Sequence, residues 1–105
     1  MGVGIDIVDM KRIHNIERLA KYVLSDDEYS LFQNRVRPLE FLAGRFAAKE
    51  AFLKAMHQGI GSVSFKSISI LYDKNSGAPI LYYENKQYDV SISHDGDYAV
   101  AVVVV

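Results

Sequence analysis

The C-terminal run Ala99-Val100-Ala101-Val102-Val103-Val104-Val105 constrains this chain more than any other stretch. It is β-branched almost throughout, so it reads as a strand, and without polar alternation both of its faces call for cover. A chain of 105 residues makes a single domain, residues 1–105. A domain of that size buries only roughly two-thirds of its unfolded surface. One layer of helices can cover one face of a sheet, which leaves little chain for the other. An uncovered strand of this kind invites aggregation. Two readings therefore stand side by side: burial within the monomer, or burial against a neighbouring subunit.

The remaining pattern supplies the sheet and the helices. Val3 to Asp9 is a strand that carries acids at Asp6 and Asp9. Asp9 is placed to cap a helix from Met10 to about Ala20, with Ile13, Ile16 and Leu19 as its apolar stripe. Ser25-Asp26-Asp27-Glu28 opens a second, short helix that ends near Asn34. Pro38 opens the longest periodic segment, Leu39 to His57, which Gly59 and Gly61 stop. Beyond Gly61 the runs Ser67–Tyr72, Ile80–Tyr83, Tyr88–Ser93 and Tyr98–Val105 read as strands. Asp73 to Pro79 turns the first pair, and Asp95-Gly96 turns the last. The expected class is α+β, an antiparallel sheet packed against one long and two shorter helices.

Composition narrows the functions. Twelve basic residues face 13 acidic ones, a formal net charge of −1. Nucleic-acid affinity needs a strongly basic face, so a general nucleic-acid binder is excluded. Cysteine is absent, which rules out disulfides and thiolate metal sites. No run approaches about 18 apolar residues, and no basic leader precedes an apolar one, so no membrane role is expected and the cytoplasm is the default location.

The long helix has three faces when residues are placed about 100° apart. Leu42, Phe46 and Leu53 form the expected core stripe, with Phe41, Phe52 and Arg45 on an adjoining arc. Away from Phe52 lie Ala43, Ala47, Glu50, Lys54 and His57. The two alanines let another group come close. Above them Glu50 and Lys54 set a carboxylate beside an ammonium. As a plain surface pair these two contribute only about 0.3–0.5 kcal/mol. Asp6 changes the weighing, because it interrupts an apolar strand expected to pack on helices. Asp6 reads either as a surface-facing residue of an edge strand or, with Glu50, as one carboxylate of a site for magnesium, which keeps several waters and is completed by substrate phosphates, with Lys54 as a phosphate contact. Arg45 and Lys49 form a second basic pair, read from spacing alone as side chains snorkelling at the core boundary. His94 reads as a solvated turn residue, and Gly59-Ile60-Gly61 as a helix stop.

Three blocks together resemble the holo-acyl-carrier-protein synthases, the small single-domain 4′-phosphopantetheinyl transferases. They are Gly4-Ile5-Asp6-Ile7-Val8-Asp9, Phe41 to Ala55 (FLAGRFAAKEAFLKA) and Val90-Ser91-Ile92-Ser93-His94. The resemblance implies transfer of 4′-phosphopantetheine from coenzyme A to a serine of apo acyl carrier protein, with release of 3′,5′-ADP, in fatty acid biosynthesis. It implies Asp6 and Glu50 as magnesium ligands and as catalytic residues together with Lys54, which contacts the coenzyme A phosphates. Arg45 and His94 then hold the nucleotide end, including its 3′-phosphate. Gly59 belongs to a phosphate-contacting loop, Pro79 runs beside the adenine, and Arg12 meets the acidic carrier protein. Glu50 or a water takes the serine proton. Active sites between the subunits of a homotrimer would cover the valine-rich strand. Val8 stands where larger, two-lobed relatives place a further acid, which favours the small branch. His57-Gln58-Gly59 departs from the family's usual Gly-Thr-Gly. The alternative is a non-enzymatic oligomeric binding module whose Glu50–Lys54 pair is only structural.

Overall fold

The computed structural model describes residues 1–59 and 61–105. One antiparallel sheet holds five strands, β1 (Val3–Asp9), β2 (Ser69–Tyr72), β3 (Pro79–Tyr83), β4 (Lys86–Asp95) and β5 (Tyr98–Val104), in the order β1-β5-β4-β3-β2. The two ends of the chain thus lie side by side, with Val3 opposite Val104 and Asp9 opposite Tyr98. Three α-helices complete the fold: α1 (Ile16–Val23), α2 (Asp26–Phe32) and α3 (Pro38–Ala55). Helix α3 packs on β1, β5 and β4, and α1 and α2 pack on it in turn. It is therefore buried on most of its circumference, from Phe41 to Ala55.

Local chemistry explains most boundaries. Ser25 caps α2 through a full capping box, its hydroxyl accepting from the Glu28 amide while the Glu28 carboxylate accepts from the Ser25 amide. Pro38 opens α3 at a position that needs no amide donor. Gly96, at φ 57, turns β4 into β5. A second tight turn, Glu84-Asn85 with φ of 49 and 64, joins β3 to β4. That turn lacks the Gly that marks most such hairpins, and the sequence reading did not place it.

Two expectations need correction. The helix expected from Met10 to Ala20 is broken. Asp9 caps only a single 3₁₀ turn, Met10–Arg12, and Asn15 then caps α1 by accepting from the Arg18 amide at 3.0 Å. The long helix also ends before its glycines. His57 takes a left-handed conformation at φ 58, and its amide and that of Gln58 bond back to the Lys54 and Leu53 carbonyls at 3.1 and 2.8 Å. This is the Schellman closure that glycine normally makes without steric cost. Of the Gly59-Ile60-Gly61 segment, Ile60 lies outside the described residues.

The valine-rich strand alternates in burial. Ala99, Ala101 and Val103 are buried under α3, while Val100, Val102 and Val104 are only half covered. Their neighbours on β1, namely Val3, Ile5 and Ile7, are more than half exposed at 63%, 58% and 63%. The chain by itself covers one face of this sheet. Because His57 occupies a backbone region that disfavours side chains, His57→Gly should raise stability by about 1 kcal/mol in chemical denaturation. A loss of stability would show that the imidazole makes contacts that outweigh its backbone strain.

Candidate active site

Strand β1 brings Asp6 to α3. Its inward positions alternate Gly4, Asp6, Val8, and Gly4 lies directly on the helix: a Cβ there would come within 1.8 Å of the Ala51 carbonyl oxygen. Gly2 is pressed likewise on Ala55, where a Cβ would fall 2.3 Å from the carbonyl oxygen. These small residues let the strand touch the helix backbone, and the next inward side chain, Asp6, meets the turn that carries Glu50 and Lys54. Sequence spacing placed the close approach at Ala43 and Ala47; the tightest contacts are at Ala51 and Ala55.

Lys54 donates to Asp6 Oδ1 and to the Ile5 carbonyl, both at 3.0 Å. The expected pairing of Lys54 with Glu50 is thus replaced by one with Asp6. Glu50 is half-buried and its carboxyl is pushed above the ordinary carboxylate range. Burial is the main cause, followed by the negative Asp6 and a hydrogen bond to it, with Lys54 opposing. Two carboxyls from distant parts of the chain are thus held together against their mutual repulsion. They open on a cleft of about 380 Å³ that Arg12, Ile13, His14 and Phe46 also line. Phe46 packs against the core as expected and is also partly open to this cleft. No cluster of three or more metal-ligating side chains occurs among the described residues. The oxygen set here is two carboxylates.

A second cleft, of about 400 Å³, is basic and aromatic. Arg45 forms its buried floor, with its guanidinium 3.9 Å from the Phe41 ring centroid and 5.2 Å from that of Tyr72. Arg35 donates to the Tyr72 hydroxyl at 2.7 Å, and Arg37 pairs with Glu40 at 3.5 Å. His94 is exposed at the end of β4, as expected, but its Nε2 lies 2.9 Å from the Glu40 carbonyl, so the imidazole is also anchored on α3. Gly44 makes room for it, since a Cβ there would lie 3.1 Å from His94 Nε2. Pro79 pairs with Tyr72 across β3 and β2, beside this cleft. Gly59 is exposed, a Cβ there would meet nothing within 4 Å, and its carbonyl accepts from the Ser62 amide and hydroxyl at 3.2 and 2.6 Å. Sequence reasoning missed Arg35, Arg37 and Tyr72. The alternation Arg35-Val36-Arg37 ahead of Pro38 was the available signal.

Comparison with known proteins fits this geometry. Residues 2–103 match the model of the 4′-phosphopantetheinyl transferase superfamily. The holo-[acyl-carrier-protein] synthase of Geobacillus sp. (strain WCH70) is 45% identical over an alignment that covers 100% of this chain and 95% of that protein. The chain belongs to this family. The fold agrees: a holo-(acyl-carrier-protein) synthase from Bacillus anthracis str. Ames, solved in complex with CoA (3′,5′-ADP), superposes with a TM-score of 0.84 at 41% identity, covering 97% of this chain and 92% of that one. The synthase of Thermotoga maritima gives 0.80 at 39% identity, and the match spans 97% of this chain but 61% of that one. Family membership does not by itself distribute roles among residues, so the site's electrostatics have their own test. In the folded synthase Glu50 keeps its proton at pH values where the unfolded chain has released it. The stability this provides is full at acid pH and is lost as pH rises through the elevated value. With a chelator present, Glu50→Gln should melt a few degrees above wild type near neutral pH, and the gap should widen as pH rises. A gap that stays constant from about pH 4 to about pH 8 contradicts this assignment.

Proposed function

We propose that the chain transfers the 4′-phosphopantetheine group of coenzyme A to a serine of apo acyl carrier protein, releasing 3′,5′-ADP. The observation that carries the reading is the convergence of Asp6 and Glu50, from separate elements, in one cleft beside Lys54. A merely structural Glu50–Lys54 pair was the footing of the binding-module alternative, and Lys54 pairs with Asp6 instead.

Asp6 and Glu50 fit magnesium: both are hard oxygen donors, they repel one another without a cation, and their cleft leaves space for phosphate oxygens. Bound there, magnesium supplies positive charge to the diphosphate of coenzyme A. Lys54, held by Asp6 and the Ile5 carbonyl and still more than half exposed, points a fixed positive charge at the same oxygens. Arg45 and His94 hold the nucleotide end and its 3′-phosphate in the basic cleft, Pro79 borders the adenine, and Gly59 lies in the loop beyond α3. Arg12, exposed at the rim of the acidic cleft, meets the acidic carrier protein. The serine oxygen attacks the phosphorus that bears the pantetheine arm, and the bond to 3′,5′-ADP breaks. Glu50, whose raised carboxyl tolerates protonation, is this chain's candidate acceptor for the serine proton.

The assembly is a homotrimer with active sites between subunits. Its support is the exposed row Val3, Ile5 and Ile7, which shares a strand with Asp6 and continues into the half-covered valines of β5. No helix among the described residues is long and apolar enough to cross a membrane. We place the reaction in the cytoplasm.

Incubation with apo carrier protein, coenzyme A and magnesium should add one phosphopantetheine to the carrier, read by mass spectrometry. Asp6→Ala and Glu50→Ala should each lower the rate by about a hundredfold or more while circular dichroism stays native. Full activity in either variant removes that residue from the chemistry. In the ultracentrifuge the wild type should sediment as a trimer and Ile5→Glu as a monomer. A monomeric, fully active wild type would discard the intersubunit site.

A further inference from the structure

Strand β2 ends the sheet, and at Ile70 its outward amide and carbonyl have no neighbouring strand to meet. Two charged side chains take that place. The Ile70 amide donates to Glu28 Oε2 at 2.9 Å, and the Ile70 carbonyl accepts from Arg45 Nη2 at 3.1 Å. Glu28 is fully buried, and its other oxygen accepts from the Ser25 amide and from Lys49 Nζ. Lys49 is fully buried too and also donates to the carbonyls of Val23 and Phe65. Arg45 Nε faces the same carboxylate at 3.8 Å, beyond hydrogen-bond reach, and is a buried donor with no hydrogen-bond partner among the described residues. One carboxylate therefore serves two cations. The ammonium holds it by a direct hydrogen bond and the guanidinium does not.

On the nucleotide reading given above, we infer that Glu28 and Lys49 are positioning residues for the 3′-phosphate: Glu28 orients Arg45 through Ile70, and Lys49 saturates Glu28 so that the Arg45 charge stays free for the anion. Without Lys49, the carboxylate closes on Arg45 Nε and cancels the charge that lines the cleft. A bidentate arginine–carboxylate pair is the strongest competitor a phosphate could meet there. Neither residue touches the substrate.

Coenzyme A and 3′-dephospho-coenzyme A differ only at this phosphate, so the ratio of their KM values isolates the effect from any disturbance of Glu50 next door. Wild type should favour coenzyme A. Lys49→Met should cut that preference by about tenfold, the loss of one charge-assisted contact, with kcat for the two substrates changed equally. Lys49→Gln, which keeps donors for the buried carbonyls but no charge, should fall in the same way and covers the case in which the methionine variant does not fold. The double variant Glu28→Gln/Lys49→Met removes both charges, frees Arg45 again, and should regain most of the preference. An unchanged ratio in the Lys49 variants, or no recovery in the double variant, overturns the inference. A wild type that treats the two substrates alike removes the 3′-phosphate from the basic cleft altogether, and with it the reading on which this inference rests.

Discussion

The contact between β1 and α3 sets the terms for everything else in this molecule. Strands and helices normally stand apart by the depth of their side chains. Here Gly2 and Gly4 lie against the carbonyls of Ala55 and Ala51, with no room for a single methyl group. That intimacy brings Asp6 down to the level of Glu50, so that a strand residue and a helix residue far apart in sequence share one cleft. It also explains why Lys54 reaches a strand carbonyl. At an ordinary strand–helix separation its ammonium would lie in solvent beside Glu50, as a simple helical pair.

The second organising element is the buried charge group of Glu28, Lys49 and Arg45. Burying ionised side chains costs several kcal/mol each unless every donor and acceptor is met. Lys49 approaches that condition with three acceptors, although burial still draws its ammonium down to about 8. The group joins the end of α1, the start of α2, α3, a second 3₁₀ turn at Phe65–Ser67 and the edge of the sheet. In these places an apolar core would leave backbone groups unsatisfied. Lys49 and Glu50 are neighbours in sequence with opposite tasks, one turned inward to fasten the frame and the other outward to the cleft.

Much of this was legible in the residues. Helical periodicity, β-branched runs and turn residues located the five strands and, with the first begun too early at Met10, the three helices among the described residues. The pairing of Asp6 with Glu50 could be named because an acid inside an apolar strand is conspicuous. What escaped was decided by three-dimensional context. Lys49 looked like a side chain snorkelling at the core boundary because spacing on one helix says nothing of the acid that α2 delivers to it. Angular reading of α3 assumed an exposed side, whereas its small residues let the sheet and two helices close around it. The break after Arg12 hides because Ile13 and Ile16 keep a helical spacing across it. His57 adopts a glycine conformation with no local signature, held by the amides that close the helix end.

Cover for the valine-rich strand is one-sided. Alternation in its burial means that the fold satisfied one face with α3 and left the other as a continuous apolar band across β5 and β1. A larger protein could add a second helical layer, but here nearly every residue is already committed to the sheet, its turns or one face. The acid on β1 points to the covered side of the sheet, while the isoleucines that flank it point to the open one. Any partner that settles on that band therefore lies within one strand's thickness of Asp6. Association and the proposed chemistry would then be coupled through β1, since whatever shifts this strand moves Asp6 with it.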